Sequence, residues 1–160
     1  MVVRIALFFV SILVLGLGAA QAQNREPTVQ EIAALRACAE KYQEDLGEGE
    51  NNCFFKLVAE PCIEKEGGSN LGTADCYRIE RSAWDKLLNE NYKELLEALD
   101  DKQQEQKLRA MQRAWVINRD ATCDFYWYRI RGSMSVPMTA ACQLRETGRR
   151  AMLLKFLVGL

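Results

Sequence analysis

The sequence has 160 residues, of which 49% are hydrophobic and 27% are charged, and it contains no histidine. This length predicts one domain, and the composition is that of an ordinary globular protein. Without histidine, the Ser-His-Asp and Cys-His catalytic units, histidine metal ligands and an imidazole pH switch are excluded.

The first 22 residues predict a secretory signal peptide. Arg4 precedes an apolar run from Ile5 to Leu17, and Ala20-Gln21-Ala22 is a small-residue cleavage signal. The apolar run is shorter than the ~18 to 20 residues that span a bilayer, which argues against an uncleaved anchor. We therefore expect a soluble, periplasmic or secreted product that has no transmembrane segment after cleavage.

Two shorter helices are predicted first in the mature chain, because apolar residues recur there at intervals of three and four. The first helix begins at the cap residue Thr28 and stops in the glycine-containing segment 47–49. The second spans about residues 52–65, and Pro61 predicts that it is kinked there or ends near Glu60.

Three longer helices follow, over about residues 73–99, 105–129 and 138–157. Each carries an apolar stripe on one side, to which Trp84 and Phe125 are assigned as core residues. Short connections predict antiparallel neighbours. The predicted fold is therefore all-α, a small antiparallel bundle of three long helices after an N-terminal, helical, cysteine-rich extension.

All six cysteines lie in the mature part of the chain. An even number of cysteines in an exported protein predicts three disulfides that staple the bundle. No C-x-x-C pair is present, which argues against a zinc site, and no other cofactor is predicted. Six cysteines allow 15 connectivities, so composition alone leaves the pairing open.

Charge is divided unevenly along the mature chain. The net charge is -5 over residues 23–66, -3 over 67–104 and +6 over 105–160. Such a dipole would attract a cationic partner to the acidic part and an anionic partner to the group Arg145, Arg149 and Arg150. The alternative is that the two parts neutralise each other in the fold. We do not expect nucleic acid as a partner of an exported protein.

Three stretches of sequence carry a resemblance to a known family. They read D-x-x-L-N-x-x-Y from Asp85, Q-x-A-W-x-x-x-R-D-x-x-C from Gln112, and C-x-x-x-x-T-x-x-R-x-x-x-L from Cys142. The ordered set, over about residues 62–154, resembles the lysozyme inhibitor LprI-like N-terminal domain family of bacterial envelope proteins. The resemblance implies a helical, disulfide-stapled extracytoplasmic domain and, for some members, inhibition of lysozyme.

The resemblance also implies an organisation and a set of motif residues. The family domain would span 62–158, after an N-terminal extension over 23–61. The polar and aromatic motif residues are Asp85, Asn89, Tyr92, Trp115, Arg119, Asp120, Thr147 and Arg150. We expect the polar ones, Asn89, Arg119 and Arg150 above all, to hydrogen-bond each other or a helix end and so to fix the register of the helices. The alternative is a polar pocket among the three long helices, with Tyr92 and Trp115 as aromatic walls.

The family pattern also bears on the disulfides, because the shortest members of the family have two cysteines that match Cys62 and Cys76. The resemblance implies that these two form a pair. A second pair would cross-link the two cysteines that flank the turn at 131–137, where a bridge is geometrically natural. The implied pairs are Cys38 with Cys53, Cys62 with Cys76, and Cys123 with Cys142. A pairing of Cys38 with Cys62 and Cys53 with Cys76 stays open as the alternative.

We expect a non-enzymatic binding protein, and the family resemblance implies lysozyme as its protein partner. Arg131 and Ser133, in the loop pinned by the last disulfide, are the candidate partner contact, since lysozyme's cleft presents a carboxylic acid and a carboxylate. The alternative for this loop is a plain solvated turn. Two other functions stay open: an envelope adaptor or scaffold without a lysozyme target and, ranked last, a cell-wall glycosidase, which needs no histidine.

Overall fold

The computed structural model describes residues 25–66 and 68–160, and within them all regular structure is α-helical. The helices are α1 (Val29–Lys41), α2 (Leu46–Cys53), α3 (Ala59–Glu66), α4 (Asn70–Ala98), α5 (Lys102–Ile130) and α6 (Ser135–Val158). The predicted all-α class is therefore confirmed. The predicted signal peptide, residues 1–22, lies outside the described residues. None of the helices in the described ranges is both long and apolar enough to cross a membrane.

Helices α4 and α6 form the centre of the fold. They run parallel, because Arg81 bonds to Gln143 at 2.6 Å and Asn91 bonds to the carbonyl of Ala151 at 2.9 Å, in the same order along both helices. The apolar stripes of these two helices supply most of the buried core, including Trp84, Leu87, Leu88, Leu144, Ala151 and Leu154. Burial of each large side chain contributes about 1.5 to 3 kcal/mol.

Helix α5 packs against α6 and hardly touches α4. It runs antiparallel to α6, because Gln112 in its first half bonds Arg150 in the second half of α6, while Cys123 is bridged to Cys142 further back. The prediction of antiparallel neighbours thus holds for α5 and α6. The main neighbour of α4 is the parallel α6, since two short connections reverse the chain twice.

Few side chains of α5 are buried, and one residue that the sequence assigns to the core is exposed. Only Leu108 and Cys123 of this helix are buried. Phe125 is 64% exposed, so its prediction as a core residue is wrong. Because each residue turns an α-helix by about 100°, Phe125 is rotated well away from Cys123 and from the face toward α6.

The long helices each begin three residues earlier than predicted, and at the starts of α4 and α5 a capping side chain lies there. Ser69 accepts a hydrogen bond from the N–H of Gly72 at 3.0 Å, and Asp101 accepts one from the N–H of Gln103 at 2.7 Å. These side chains satisfy backbone donors that have no partner within the helix. Serine and aspartate are among the preferred residues for that position.

The N-terminal extension differs most from the prediction. Helix α1 starts at the predicted cap Thr28, with a capping box to Glu31, but ends at Lys41. The glycines of segment 47–49 lie inside α2 instead of ending a helix. Gly49 is buried against Met152 of α6, so the glycine serves the close approach of two helices.

The single helix predicted over 52–65 is also wrong, because the chain turns at 54–58 and separates α2 from α3. Phe55 in this turn has a φ of +70°, a conformation that non-glycine residues rarely adopt. Pro61 then falls in the first turn of α3, where a helix needs no N–H donor from it. The proline therefore neither kinks nor ends the helix.

Three disulfides join neighbouring elements. They are Cys38–Cys53, Cys62–Cys76 and Cys123–Cys142, with Cα–Cα distances of 5.8, 5.6 and 5.5 Å. These are the pairs that the family resemblance implies. The first joins α1 to α2, the second α3 to α4 and the third α5 to α6. Closing loops of this length stabilises a fold by roughly 3 kcal/mol each in the chain-entropy account.

The acidic and basic parts of the chain contact each other. Glu50 of α2 lies between Arg149, at 2.7 Å, and Arg145, at 3.4 Å, both on α6. Lys155 of α6 pairs in the same way with Glu94 of α4 at 3.2 Å. The basic group of α6 is therefore neutralised in part within the fold. This agrees with the interpretation that the acidic and basic parts of the chain neutralise each other.

Candidate functional site

Several of the motif residues lie where α4 and α5 both pack on α6. We use the name arginine groove for the set Arg81, Tyr92, Gln112, Trp115, Arg119, Gln143 and Arg150. The set includes Tyr92 and Trp115, which the alternative sequence interpretation assigns to the walls of a polar pocket.

Trp115 lies at the centre of the arginine groove, in contact with two guanidinium groups. The Arg119 guanidinium carbon lies 4.9 Å from the centroid of its ring system, and that of Arg150 lies 5.7 Å from it. Cations at such distances are attracted to the electron-rich face of an indole. The three side chains form a cationic and aromatic surface at the junction of α5 and α6.

Arg150 is the most buried member of the groove, with 4% of its surface exposed. Its Nε donates to the side-chain oxygen of Gln112 at 2.8 Å, while its Nη2 is buried and has no hydrogen-bond partner among the described residues. Burial lowers the pKa of Arg150, since removal from water disfavours the charged form. A guanidinium does not lose its proton at ordinary pH, so a positive charge stays buried here.

The α4 side of the groove adds a second half-buried guanidinium. Arg81 donates to the side-chain oxygen of Gln143 at 2.6 Å. Burial lowers the pKa of Arg81, and the positive charge of Arg119 across the groove acts in the same direction. Asp85 and Asp120 act against both effects. Charged side chains of α4 and α5 are therefore close enough to affect each other.

The other motif residues have local hydrogen bonds. Asn89 is exposed and donates to the carbonyl of Asp85 on its own helix at 2.8 Å. The hydroxyl of Thr147 is buried and donates to the carbonyl of Gln143 one turn earlier at 2.7 Å. Arg119 pairs with its neighbour Asp120 at 2.8 Å. Arg150 thus bonds to a side chain of another helix, whereas Asn89 bonds within its own helix.

The predicted partner contact lies at the far end of α5, in the short connection to α6. Arg131 caps α5 with a φ of +57°, and its N–H donates to the carbonyl of Trp127 at 3.3 Å. Ser133 accepts a hydrogen bond from Asn70 of α4 at 3.0 Å. Both are exposed, and the bridge between Cys123 and Cys142 joins α5 and α6 about two helical turns away from them. The loop is exposed and is also anchored on both sides.

Apolar side chains surround this loop and stay exposed to solvent. They are Phe125, Trp127, Tyr128, Ile130, Met134 and Met138, with exposures of 64%, 49%, 73%, 36%, 51% and 37%. Together with Arg131 and Ser133 they form what we call the loop tip. Trp127, Tyr128 and Arg131 line a shallow hollow of about 290 Å³ there. No acidic residue occurs between Asp124 and Glu146.

Sequence reasoning missed the aromatic part of the loop tip. The run Phe125 to Tyr128 places aromatic residues on every side of a helix, and one helix cannot bury all of them against a single neighbour. Reasoning also missed Gln112, although its position three residues before Trp115 and seven before Arg119 puts it on the same face. That spacing is a signal from which the groove can be found.

Other features of the described residues do not involve the predicted site residues. A groove of about 890 Å³ lies where α4 ends and α5 begins, and its walls include Leu95, Leu108, Met111 and Leu157. Among the described residues, no group of three Asp, Glu or Cys side chains is arranged to hold a metal ion.

The helices and their bridges define the class of protein as a small, disulfide-stapled, all-α domain with an anchored surface loop. The family model for the lysozyme inhibitor LprI matches residues 62–154. That match covers more than half of the chain, and the protein belongs to this family, which is described as one of inhibitors. No curated protein and no solved structure matches the chain.

Proposed function

We propose that this protein is an exported, non-enzymatic binding protein of the bacterial envelope, and that it inhibits lysozyme through its loop tip. Membership of the LprI family supports the target. The observation that carries the proposal is the exposure of Trp127, Tyr128 and Arg131 on a loop that a disulfide anchors. Large exposed aromatic side chains in one patch are characteristic of a protein interface.

The composition of the loop tip suits tight binding to a protein. Trp, Tyr and Arg are the residue types that most often dominate interface energies. A loop held by a disulfide, such as that at Cys123, loses little conformational freedom when it binds, so less binding energy is spent on ordering it. The loop tip therefore combines suitable side chains with a preformed shape.

Arg131 and Ser133 supply the polar contacts in this proposal. A lysozyme cleft uses one carboxylic acid and one carboxylate. A guanidinium donates two parallel hydrogen bonds to a carboxylate, and a serine hydroxyl adds a third donor. Contact of Arg131 with the catalytic carboxyl groups would block access of the glycan to them.

Export is part of the same proposal. The predicted signal peptide at residues 1–22 and three disulfides support a periplasmic or secreted location, where thiols are oxidised. After cleavage the protein would consist of an extension over 23–61 and the family domain over 62–158. Fractionation of cells that produce the full chain checks this, since an exported product appears outside the cytoplasm without residues 1–22.

The first prediction tests the loop tip with the oxidised mature protein and purified lysozyme. We expect Arg131→Gln, Ser133→Ala and Trp127→Ala together to raise the inhibition constant about tenfold or more, since truncated interface anchors typically cost more than 1 kcal/mol each. The measurement is lysozyme turnover of cell walls at increasing inhibitor concentration. Binding at low and high salt measures the electrostatic share, which salt weakens.

Two exposed residues on α5 provide the matched control. Arg113 and Ile117 lie outside the loop tip, and Ile117 is 71% exposed. The double variant Arg113→Gln and Ile117→Ala should inhibit as the wild type does. Equal inhibition by the loop variant and the wild type removes the loop tip from the proposal. If the wild-type protein does not bind lysozyme at all, the target is wrong and the envelope adaptor is favoured.

A further inference from the structure

We propose that two copies of this chain form an antiparallel dimer through the outer face of α5. We use this name for the exposed side of the helix that carries Ala110, Ala114, Ile117, Ala121, Phe125 and Tyr128. These residues span about 80° of the helix circumference, on the side opposite the buried Leu108 and Cys123. The occupant of the face is a second copy of the chain, related to the first by a two-fold axis near residue 119.

The first support is the exposure of large apolar side chains on a helix with few neighbours. Ile117, Phe125 and Tyr128 are 71%, 64% and 73% exposed. Helix α5 is 29 residues long, packs mainly on α6 and buries only two residues, so no helix within the described ranges covers its outer face. Apolar patches of this kind mark surfaces that bind other molecules.

The spacing of the residues on the outer face is that of a seam between two helices. From Ala110 to Tyr128 they follow one another at intervals of four, three, four, four and three. Intervals of three and four place side chains in one stripe, along which a second helix packs side by side. The face therefore fits another helix, and a second copy of the chain supplies one with the same stripe.

Side chains of different size face each other when the second helix runs antiparallel. With a two-fold axis near residue 119, Tyr128 of one copy faces Ala110 of the other, and Ile117 faces Ala121. A parallel pair would instead place Tyr128 on Tyr128 and alanine on alanine. Because protein contacts are closely packed, the pairing of large with small side chains favours the antiparallel arrangement.

Charge complementarity supports the same arrangement. Arg113 and Asp124 are exposed along one edge of the outer face, 11 residues apart and therefore within about 20° of each other around the helix. The ion pairs that α5 forms within the described ranges involve neither of them. The two-fold axis brings Arg113 of each copy to Asp124 of the other, which gives two ion pairs across the interface.

The size of the interface sets the strength of the dimer. Aromatic side chains bury roughly 150 to 250 Å² each, so the exposed parts of Phe125 and Tyr128 from both copies supply about half of the ~1,200 Å² of a small specific interface. On the other edge, Lys107 of one copy lies near Arg129 of the other, and this like-charge contact weakens the dimer. We therefore expect a dissociation constant in the micromolar range or weaker.

The dimer does not depend on the proposed function, although the two share part of a surface. It covers Phe125 and Tyr128 of the loop tip, whereas Trp127 lies about 100° away from Tyr128 around the helix. Below the dissociation constant the chain is a monomer, and the complete loop tip is free to bind lysozyme.

Sedimentation velocity of the oxidised mature protein tests the inference. We expect the wild type to change from monomer to dimer between about 5 and 500 µM. Arg113→Asp and Asp124→Arg should each raise the dissociation constant about tenfold or more, because each variant sets like charges against each other at two places. An equimolar mixture of these two variants should dimerise as the wild type does, since each copy then meets the opposite charge.

Lys65→Asp is the matched control, because it makes the same change of charge at an exposed position of α3. It should dimerise as the wild type does. Ala121→Glu places a charged side chain opposite Ile117 and should stay monomeric over the whole concentration range. Circular dichroism of every variant confirms that the fold is kept.

Three outcomes would overturn the inference. A wild type that stays monomeric at every concentration leaves the outer face to a partner of another kind. Equal dimerisation of Arg113→Asp and the wild type places the interface elsewhere. A mixture of the two charge variants that stays monomeric, while the wild type dimerises, contradicts the antiparallel arrangement. Absence of lysozyme inhibition would overturn only the proposed function, because the mass is measured without lysozyme.

Discussion

At the scale of single residues, Glu80 explains a local structure that the sequence does not show. This glutamate of α4 is fully buried and accepts hydrogen bonds from the N–H groups of Phe55 at 2.8 Å and Ala59 at 2.9 Å, and from the indole of Trp84 at 3.2 Å. Burial raises the pKa of Glu80, and the N–H donors limit that rise. The carboxyl group thereby holds the turn in which Phe55 has its positive φ.

Replacement of Glu80 by glutamine tests this role. We expect Glu80→Gln to lower the free energy of unfolding by about 1 to 3 kcal/mol, because the amide offers one acceptor oxygen where the carboxyl offers two. Urea unfolding of the oxidised protein measures the change. Glu64→Gln, at an exposed position of α3, should change the free energy by less than about 0.5 kcal/mol. Equal stability of both variants would contradict the role of Glu80.

At the scale of elements, close approach between the extension and α6 depends on two glycines. Gly148 of α6 faces the ring of Phe54, and a Cβ at this position would lie 2.7 Å from two ring carbons. Phe54 is 2% exposed, so its ring has no free space into which it can move. Gly49 of α2 has a similar role against Met152. Contacts between elements, and not local turn chemistry, require these glycines.

The variant Gly148→Ala should therefore be destabilised, although alanine favours helices more than glycine does. We expect a loss of about 1 to 3 kcal/mol from overpacking, which exceeds the gain of about 1 kcal/mol in helix propensity. Thermal or urea unfolding measures the difference. Gly68→Ala is the control, because no atom lies within 4 Å of a Cβ built there. A stabilised Gly148→Ala variant would show that Phe54 can shift.

The sequence predicts the fold class and the existence of the long helices well, for a clear physical reason. Apolar stripes such as that of Trp84 and Leu88 repeat with the helical period over many turns, whereas the starts of α4 and α5 were predicted late because the caps Ser69 and Asp101 were not used. The turn at 54–58 is not predictable in this way. It depends on Glu80, a hydrogen-bond partner 25 residues away from Phe55.

The candidate sites were predicted only in part, since exposure depends on which helices are neighbours. Trp115 and Arg119 stand out in the sequence, yet the burial of Arg150 follows from the packing of α5 on α6. The exposure of Phe125 and Trp127 has the same origin, because no third helix within the described ranges covers that end of α5. Local patterns contain no information about such missing neighbours.

At the scale of the whole molecule, α5 is the least firmly attached of the long helices. It packs mainly on α6, and only two of its residues are buried. One of the two is Cys123, which is bridged to Cys142. The disulfide therefore supplies much of the attachment of the second half of α5.

Removal of that bridge should loosen one helix and leave the rest folded. We expect Cys123→Ala with Cys142→Ala to lower the free energy of unfolding by roughly 3 kcal/mol and to speed amide exchange over residues 113–130. Hydrogen exchange followed by mass spectrometry measures this. Removal of Cys38 and Cys53 in the same way should not speed exchange in α5. Uniform faster exchange in both variants would contradict a separate role for the third bridge.

The hydrogen bonds of Glu80 also decide where this protein can be cut. Glu80 belongs to the segment that the family match covers, but its two backbone donors, Phe55 and Ala59, come before that segment begins. A fragment excised at Cys62 would leave a carboxyl group facing an empty hollow lined by the indole of Trp84. The first residue of the family match is therefore not expected to be the first residue of a unit that folds alone. A shortened form of this protein has to keep Phe55 and Ala59 together with Glu80.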